Sequence, residues 1–362
     1  MAKVNCNSVK IRGIATAVPT KVVEVTSFYD QFGQEVVDNF IGMTGVKSFH
    51  ITPEEQTASD LCYVAARELL KSQHVDPQEI GILIFVSQTP DYRLPATACV
   101  LQHRLNLPKN CMAFDINLGC SGWVYGISVV SSLLESTDMG KALLLFGDTS
   151  VKTASPMDRS SIMLFGEAGS ATLIEKKESA ESGIFGEYQT DGSHFKTIII
   201  PSGAFRNRNG SHERVMWGDE NIRSDYDGYM NGTDTFTFTI SEIPRQIKKF
   251  LQERDETPEN YDALLLHQAN LFILKQISKK TKFPMDKIPI SLDRYGNTSG
   301  TSIPLTICDA YGGKGNGKMR ILADGFGVGL SWGVLSFQLD TQGVLPPILT
   351  DESFDDGGVS HE

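Results

Sequence analysis

Three segments of this chain recur about half a chain apart and in the same order, which limits its fold more than any other feature. IGILIFVSQT from Ile80 resembles YDALLLHQAN from Tyr261, 181 positions later. FDINLGCSG from Phe114 resembles LDRYGNTSG from Leu292, 178 later, and GKALLLFGD from Gly140 resembles GKMRILADG from Gly317, 177 later. Any two βαβ units look alike because buried strands share composition. A nearly constant offset across three ordered anchors points instead to duplication. Apolar strand-like runs alternate with longer helical stretches, so each copy reads as a βαβαβ-type unit of an α/β protein with much parallel pairing. The copies are expected at residues 1–178 and 179–340, followed by a tail at 341–362 whose last stretch, DESFDDGGVSHE, reads as a solvated end. Two similar halves would meet about a pseudo-twofold axis, where a site is expected. The less regular Pro201–Gly232 stretch between them is either a lid or tunnel wall or a surface excursion.

The 362 residues carry a net charge of −11, which argues against a nucleic-acid binder. No apolar run approaches a membrane span, and the N-terminus lacks a signal-peptide core. The six cysteines, Cys6, Cys62, Cys99, Cys111, Cys120 and Cys308, include no C-x-x-C pair, so neither a zinc site nor a disulfide framework is expected. A reducing, cytoplasmic setting follows.

Five of these cysteines lie in apolar or ordinary contexts and read as small buried hydrophobes. Cys120 differs. CMAFDI is a buried-strand run, NLGCSG a turn of small residues, and Val124, Ile127, Val130 and Leu134 mark one side of a helix. The thiol therefore stands at a strand–turn–helix junction. Free N–H groups and the helix dipole there are expected to lower its pKa towards neutrality and make it a nucleophile.

His267 ends the strand run DALLL, at the position where ILIFVSQT ends in the first copy. Asn297, in YGNTSG, is the repeat counterpart of Gly119 beside the nucleophile. Alone, one would be an ordinary hydrogen-bonding histidine and the other a turn residue. Duplication brings both to Cys120. A further turn, DGFGVGLSWG, fails as a dinucleotide motif because a strand-like run follows it. Its backbone N–H groups can still serve an oxyanion hole.

GCSG at Cys120, HQAN at His267, YGNTS at Asn297 and GFGVGLSWG resemble the β-ketoacyl-acyl-carrier-protein synthase III family of thiolase-superfamily condensing enzymes. PMDRSSIMLFGEAGSA and MNGTDTFTF extend the resemblance, which reaches to about Leu339. It implies a thiolase fold with five αβαβα layers and a homodimer. It also implies a Cys120–His267–Asn297 triad, with the backbone N–H of Val328 as an oxyanion donor. Leu94 and Phe326 match acyl-pocket positions, and Arg159 and Asn270 match coenzyme A contacts. Lys275, Lys279 and Lys280 offer a docking face for acyl carrier protein, or equally a solvated helix face. The implied reaction loads an acyl group from acyl-CoA or an acyl-carrier thioester onto Cys120. Decarboxylative condensation with malonyl-acyl carrier protein follows, with no metal or redox cofactor.

Met43 stands where the family often has arginine, and so does Phe272; both changes bear on coenzyme A use. Competing readings are an acyltransferase without decarboxylation, an inactive partner subunit of a heterodimeric synthase, and a cysteine hydrolase.

Overall fold

A computed structural model describes residues 2–177 and 183–357; the 178/179 boundary of the expected halves lies outside them. After β1 (Ala2–Cys6), the first half runs β2 (Val9–Val18), α1 (Ala58–Ser72), β3 (Ile80–Val86), α2 (Thr97–Arg104), β4 (Met112–Ile116), α3 (Gly122–Ser136), β5 (Lys141–Asp148) and β6 (Ala168–Lys176). The second runs β7 (Ile184–Thr190), α4 (Gly232–Glu253), β8 (Ala263–Leu266), α5 (Leu271–Thr281), α6 (Ser302–Tyr311), β9 (Lys318–Gly327) and β10 (Ser331–Asp340).

The strand order β2-β6-β5-β3-β4 of the first half repeats as β7-β10-β9-β8 in the second, with β1 added beyond β7. In both, the middle pair is parallel (β3 with β5, β8 with β9) and the following pair antiparallel. A single parallel pairing, Leu339 with Ile11, joins the two sheets. Among the described residues the second half has no strand matching β4; a short helical turn, Leu292–Tyr295, occupies that stretch.

The layers follow from side-chain alternation. Ile82, Ile84 and Val86 of β3 face a central core with Ala263 and Leu265 of β8, and α3 and α6 fill the space between. Leu83 and Phe85 point outward to α1 and α2. Leu264 and Leu266 point outward to α4 and α5. The order helices, sheet, helices, sheet, helices makes five layers, and explains why IGILIFV and ALLL are apolar without a break: both faces of each strand are covered. Burying one such side chain contributes about 1.5–3 kcal/mol.

Two connecting regions differ from their sequence reading or resolve it. The Pro201–Gly232 stretch is an ordered ribbon in which Val215–Met216 pairs with Ile222–Arg223. Arg223 is fully buried on Asp158 at 2.6 Å and Asp219 at 2.9 Å. Desolvating this cation is compensated by two carboxylates and by the rings of Trp217 and Tyr229. The ribbon walls a cavity of about 950 Å³ with Met43 and Phe236. Residues 351–357 of the tail are mostly exposed, as a solvated end would be, yet they are tethered to the body. Ile348–Leu349 (β11) pairs with β2, and Glu352, Phe354 and Asp356 contact Arg67, Tyr63 and Arg104. Composition did not show this tether, because the arginines that hold the carboxylates, half-exposed Arg67 and nearly buried Arg104, come from distant helices. Among the described residues no helix is long and apolar enough to cross a membrane.

Candidate active site

Cys120 occupies the turn between β4 and α3, packed against the end of β9. Gly122, the first residue of α3, touches Phe146, and a Cβ there would stand 2.8 Å from Val86. Its N–H bonds Gly119 O at 2.7 Å, closing the turn. Ser121 Oγ meets Ser331 Oγ at 2.7 Å, and Ser331 Oγ donates to Val328 O at 2.7 Å. The nucleophile turn and the glycine-rich turn after β9 are thus laced together. Gly327 is the contact point: with φ of 157°, a Cβ there would come within 2.6 Å of Cys120 Cβ and 2.7 Å of its Sγ. Only glycine allows this approach.

Burial pushes the Cys120 thiol up to about 11, with the Asp148 carboxylate adding to the rise. The N–H groups of Val328 and of Cys120 itself, and the Ser299 hydroxyl, act the other way. This corrects the expectation of a thiol lowered towards neutrality. The donors are where the turn places them, but the apolar surroundings outweigh them in the resting site.

His267 is buried at the end of β8, where its N–H donates to Asp324 O at 2.9 Å. Its Nδ1 lies 3.0 Å from Ser299 O and 2.9 Å from Ser302 Oγ. A carbonyl oxygen only accepts, so Nδ1 carries the ring proton and Nε2 is the free acceptor. Burial lowers His267 to about 4, so the resting ring is neutral. Phe326 stands edge-on to it at 5.4 Å. Phe326 is 1% exposed, a wall packed behind His267.

Asn297 is fixed through both its peptide and its side chain. Its N–H donates to Leu164 O at 2.9 Å and its carbonyl accepts from Gly166 at 3.1 Å. The PMDRSSIMLFGEAGSA segment therefore clamps this turn. Asn297 Oδ1 accepts from Ser299 N–H at 3.0 Å, which leaves the Nδ2 amino group as donor.

The other predicted positions spread outward. Leu94 is 82% exposed. Asn270 caps α5, its Oδ1 accepting from Ile273 N–H at 2.8 Å. Arg159 pairs with Glu220 at 3.3 Å on the surface. Lys275, Lys279 and Lys280 are exposed along α5, and Lys280 donates to Ile240 O at 2.7 Å. Met43 and Phe272 are exposed, and Phe272 stacks on Phe236 beside the 950 Å³ cavity.

Sequence reasoning missed Ser299, Asp148, Ser302 and Gln88. Gln88 Oε1 fills the space beside Gly119, and its N–H donates to Asp148 Oδ1 at 2.7 Å. Asp148, at the end of β5, is raised by burial to about 6. Serines in a turn and an aspartate ending a strand are too common to stand out; only the repeat offsets marked their places.

A cysteine, a histidine and an asparagine gathered where two duplicated α/β halves meet define a thiolase-fold acyltransferase. Residues 114–192 match the family described as 3-Oxoacyl-[acyl-carrier-protein (ACP)] synthase III, and residues 251–339 match its C-terminal part. A putative 3-oxoacyl-[acyl-carrier-protein] synthase 3 of Campylobacter jejuni is 32% identical, covering 95% of this chain and 98% of that protein. A β-ketoacyl-[acyl-carrier-protein] synthase III of Caldanaerobacter subterraneus is 33% identical over 89% of this chain and 95% of its own. The crystal structure of a 3-oxoacyl-(acyl-carrier protein) synthase from Burkholderia xenovorans superposes with a TM-score of 0.91 at 34% identity, over 96% of this chain and 99% of that one. The chain belongs to the 3-oxoacyl-[acyl-carrier-protein] synthase III family of condensing enzymes.

Proposed function

We propose that the protein catalyses decarboxylative Claisen condensation of an acyl primer with a malonyl thioester on acyl carrier protein, through an acyl-Cys120 intermediate. The observation that carries this reading is the pairing of an N–H-ringed thiol with a neutral His267 and a free Asn297 amide donor.

In the first stage Cys120 attacks the thioester of acyl-CoA or of an acyl carrier. Its proton goes to His267 Nε2, and the N–H groups of Cys120 and Val328 hold the tetrahedral oxyanion. The thiol of the donor leaves with that proton. In the second stage the malonyl thioester loses CO2 and its carbonyl oxygen gains enolate charge. Asn297 Nδ2 donates to this oxygen. His267 donates only after taking a proton, which the negative charge of the bound extender favours despite burial. One such donor is worth about 10²–10³ in rate. The carbanion then attacks the acyl-Cys120 carbonyl, and the expelled thiolate takes the proton from His267. Lys275, Lys279 and Lys280 are the exposed cations of α5 for carrier docking. A homodimer would give the exposed Leu94 an acyl pocket in the partner subunit.

Intact-protein mass spectrometry after incubation with a panel of acyl-CoA and acyl-carrier thioesters tests the reading, with Cys120→Ala as control. The expected result is an acyl adduct on the wild type alone. A wild type that alkylates at Cys120 yet takes no acyl group from any donor would overturn it.

A further inference from the structure

Three groups of the reaction described above converge on one residue outside the triad. Ser299 N–H donates to Asn297 Oδ1 at 3.0 Å, and Ser299 O accepts from His267 Nδ1 at 3.0 Å. The Ser299 hydroxyl bears on both the Cys120 sulfur and the Asp148 carboxylate. Ser299 is 5% exposed and holds a φ of 54°, a conformation uncommon outside glycine, asparagine and aspartate. A buried serine held there is over-determined by its partners, which is the usual company of a functional position.

We propose that Ser299 is the positioning residue of the site: its peptide orients Asn297 and His267, and its hydroxyl stands near both the Cys120 sulfur and the Asp148 carboxylate. The proposal rests on the condensation reading for its purpose, but its geometry stands alone. Ser299 O sets the His267 tautomer, leaving Nε2 to receive the thiol proton. Ser299 N–H turns the Asn297 amide so that Nδ2 is the donor. The hydroxyl acts on the sulfur in the opposite sense to the Asp148 carboxylate. Asp148 Oδ1 is already taken by Gln88 N–H and by Ser87 Oγ at 3.1 Å, and its Oδ2 is buried with no hydrogen-bond partner among the described residues.

The titratable groups around the sulfur are Asp148, from the end of β5, and His267, reached through Ser299 from the end of β8. Asp91 in the loop after β3 and Asp60 on α1 lie one layer out around Cys62, with Arg104 beside Asp60. The turn after β9 contributes only N–H groups.

The test is the pH dependence of Cys120 alkylation by iodoacetamide, read by mass spectrometry on the full chain, which needs no acyl donor. Ser299→Gly keeps the backbone conformation at no steric cost and removes the hydroxyl. It is expected to move the alkylation midpoint to higher pH and to slow acyl loading roughly tenfold to a hundredfold. Asp148→Asn keeps an acceptor for Gln88 and Ser87 and removes the charge, so it should move the midpoint to lower pH. Opposite displacements are the signature of a hydroxyl and a carboxylate acting on one sulfur. A Ser299→Gly profile and loading rate equal to wild type would overturn the proposal, as would displacement of both variants in the same direction. If the wild type takes no acyl group, the condensation reading fails while the alkylation profiles still decide the role of Ser299.

Discussion

The two central turns, Gly119–Gly122 and Asn297–Gly300, occupy equivalent places in the two halves and do opposite work. They touch: a Cβ on Gly300 would stand 2.7 Å from Gly119 O. The first turn is fed by a paired strand and made of residues chosen for smallness, so that α3, Gln88 and Gly327 can close around the sulfur. The second has no feeding strand among the described residues. It holds a strained serine and an asparagine pinned by Leu164 and Gly166. One copy presents the Cys120 thiol, and the other carries the Asn297 and Ser299 polar groups beside it. A duplicated fold gains a two-component site when its copies specialise in this way.

The largest effect should come from breaking the first turn alone. Cys120→Ala should abolish acyl loading and condensation, a loss on the order of 10⁴-fold or more. Decarboxylation of a malonyl thioester, carried by the second turn, should survive it. The reciprocal variant, Asn297→Ala, should leave the acyl adduct intact and cut condensation about 10²–10³-fold. If both variants lost loading and decarboxylation together, the division of labour between the turns would be wrong.

Acid provides the next test. His267 sits at about 4 in the folded chain against about 6.5 when unfolded. The unfolded chain therefore binds more protons between these values, and stability is complete above pH 6.5 and falls as pH drops towards 4. The loss is on the order of 3 kcal/mol. Asp148 acts oppositely, since its folded pKa of about 6 lies above its unfolded value near 3.9. Its contribution favours folding below about pH 4 and is lost as pH rises through 6. The two groups nearly offset each other across pH 4 to 6.5, so the melting temperature should shift downward with rising pH in His267→Gln relative to wild type and upward in Asp148→Asn. A smaller loss is expected for Gly327→Ala, which sets a methyl 2.7 Å from Cys120 Sγ. About 1–3 kcal/mol of overpacking and a slower alkylation of Cys120 should result.

The places of Cys120, His267 and Asn297 in the fold were legible because strand ends and turns leave marks in a sequence, and because the repeat offset aligned Gly119 with Asn297. The layers were legible only through family resemblance, since unbroken apolar runs say that both faces are covered but not by what. The resting state of the thiol was not legible. Turn and helix onset are local features, whereas burial depends on Gly327, Asp148 and Ser299 arriving from elsewhere in the chain. Ser299 itself sits in NTSGTS with nothing to distinguish it from Ser302 or Thr301; its role exists only in the φ angle and the three partners.

The tail extends the comparison to the outer layer of the first half, and supplies the smallest effect. Arg104 on α2 is nearly buried, and it binds Asp60 at 3.2 Å and both Asp356 oxygens at 2.7 Å. Phe354 covers the guanidinium at 4.6 Å and meets Tyr63 edge-on. Asp356 also accepts from Tyr92 at 3.0 Å, in the loop that leads to Leu94. The segment thus fastens α1, α2 and this loop from outside, where the second half uses the Pro201–Gly232 ribbon to wall its own cavity. Asp356→Asn keeps the shape and removes the charge. Because Asp356 is largely solvated, the pair contributes about 0.5–1 kcal/mol, and salt should erase most of it. A melting shift of a few degrees that disappears at high ionic strength is expected, with the Cys120 alkylation rate unchanged. A salt-independent shift would show that the contact acts through packing of Phe354 instead, and Phe354→Ala would then be the more damaging change.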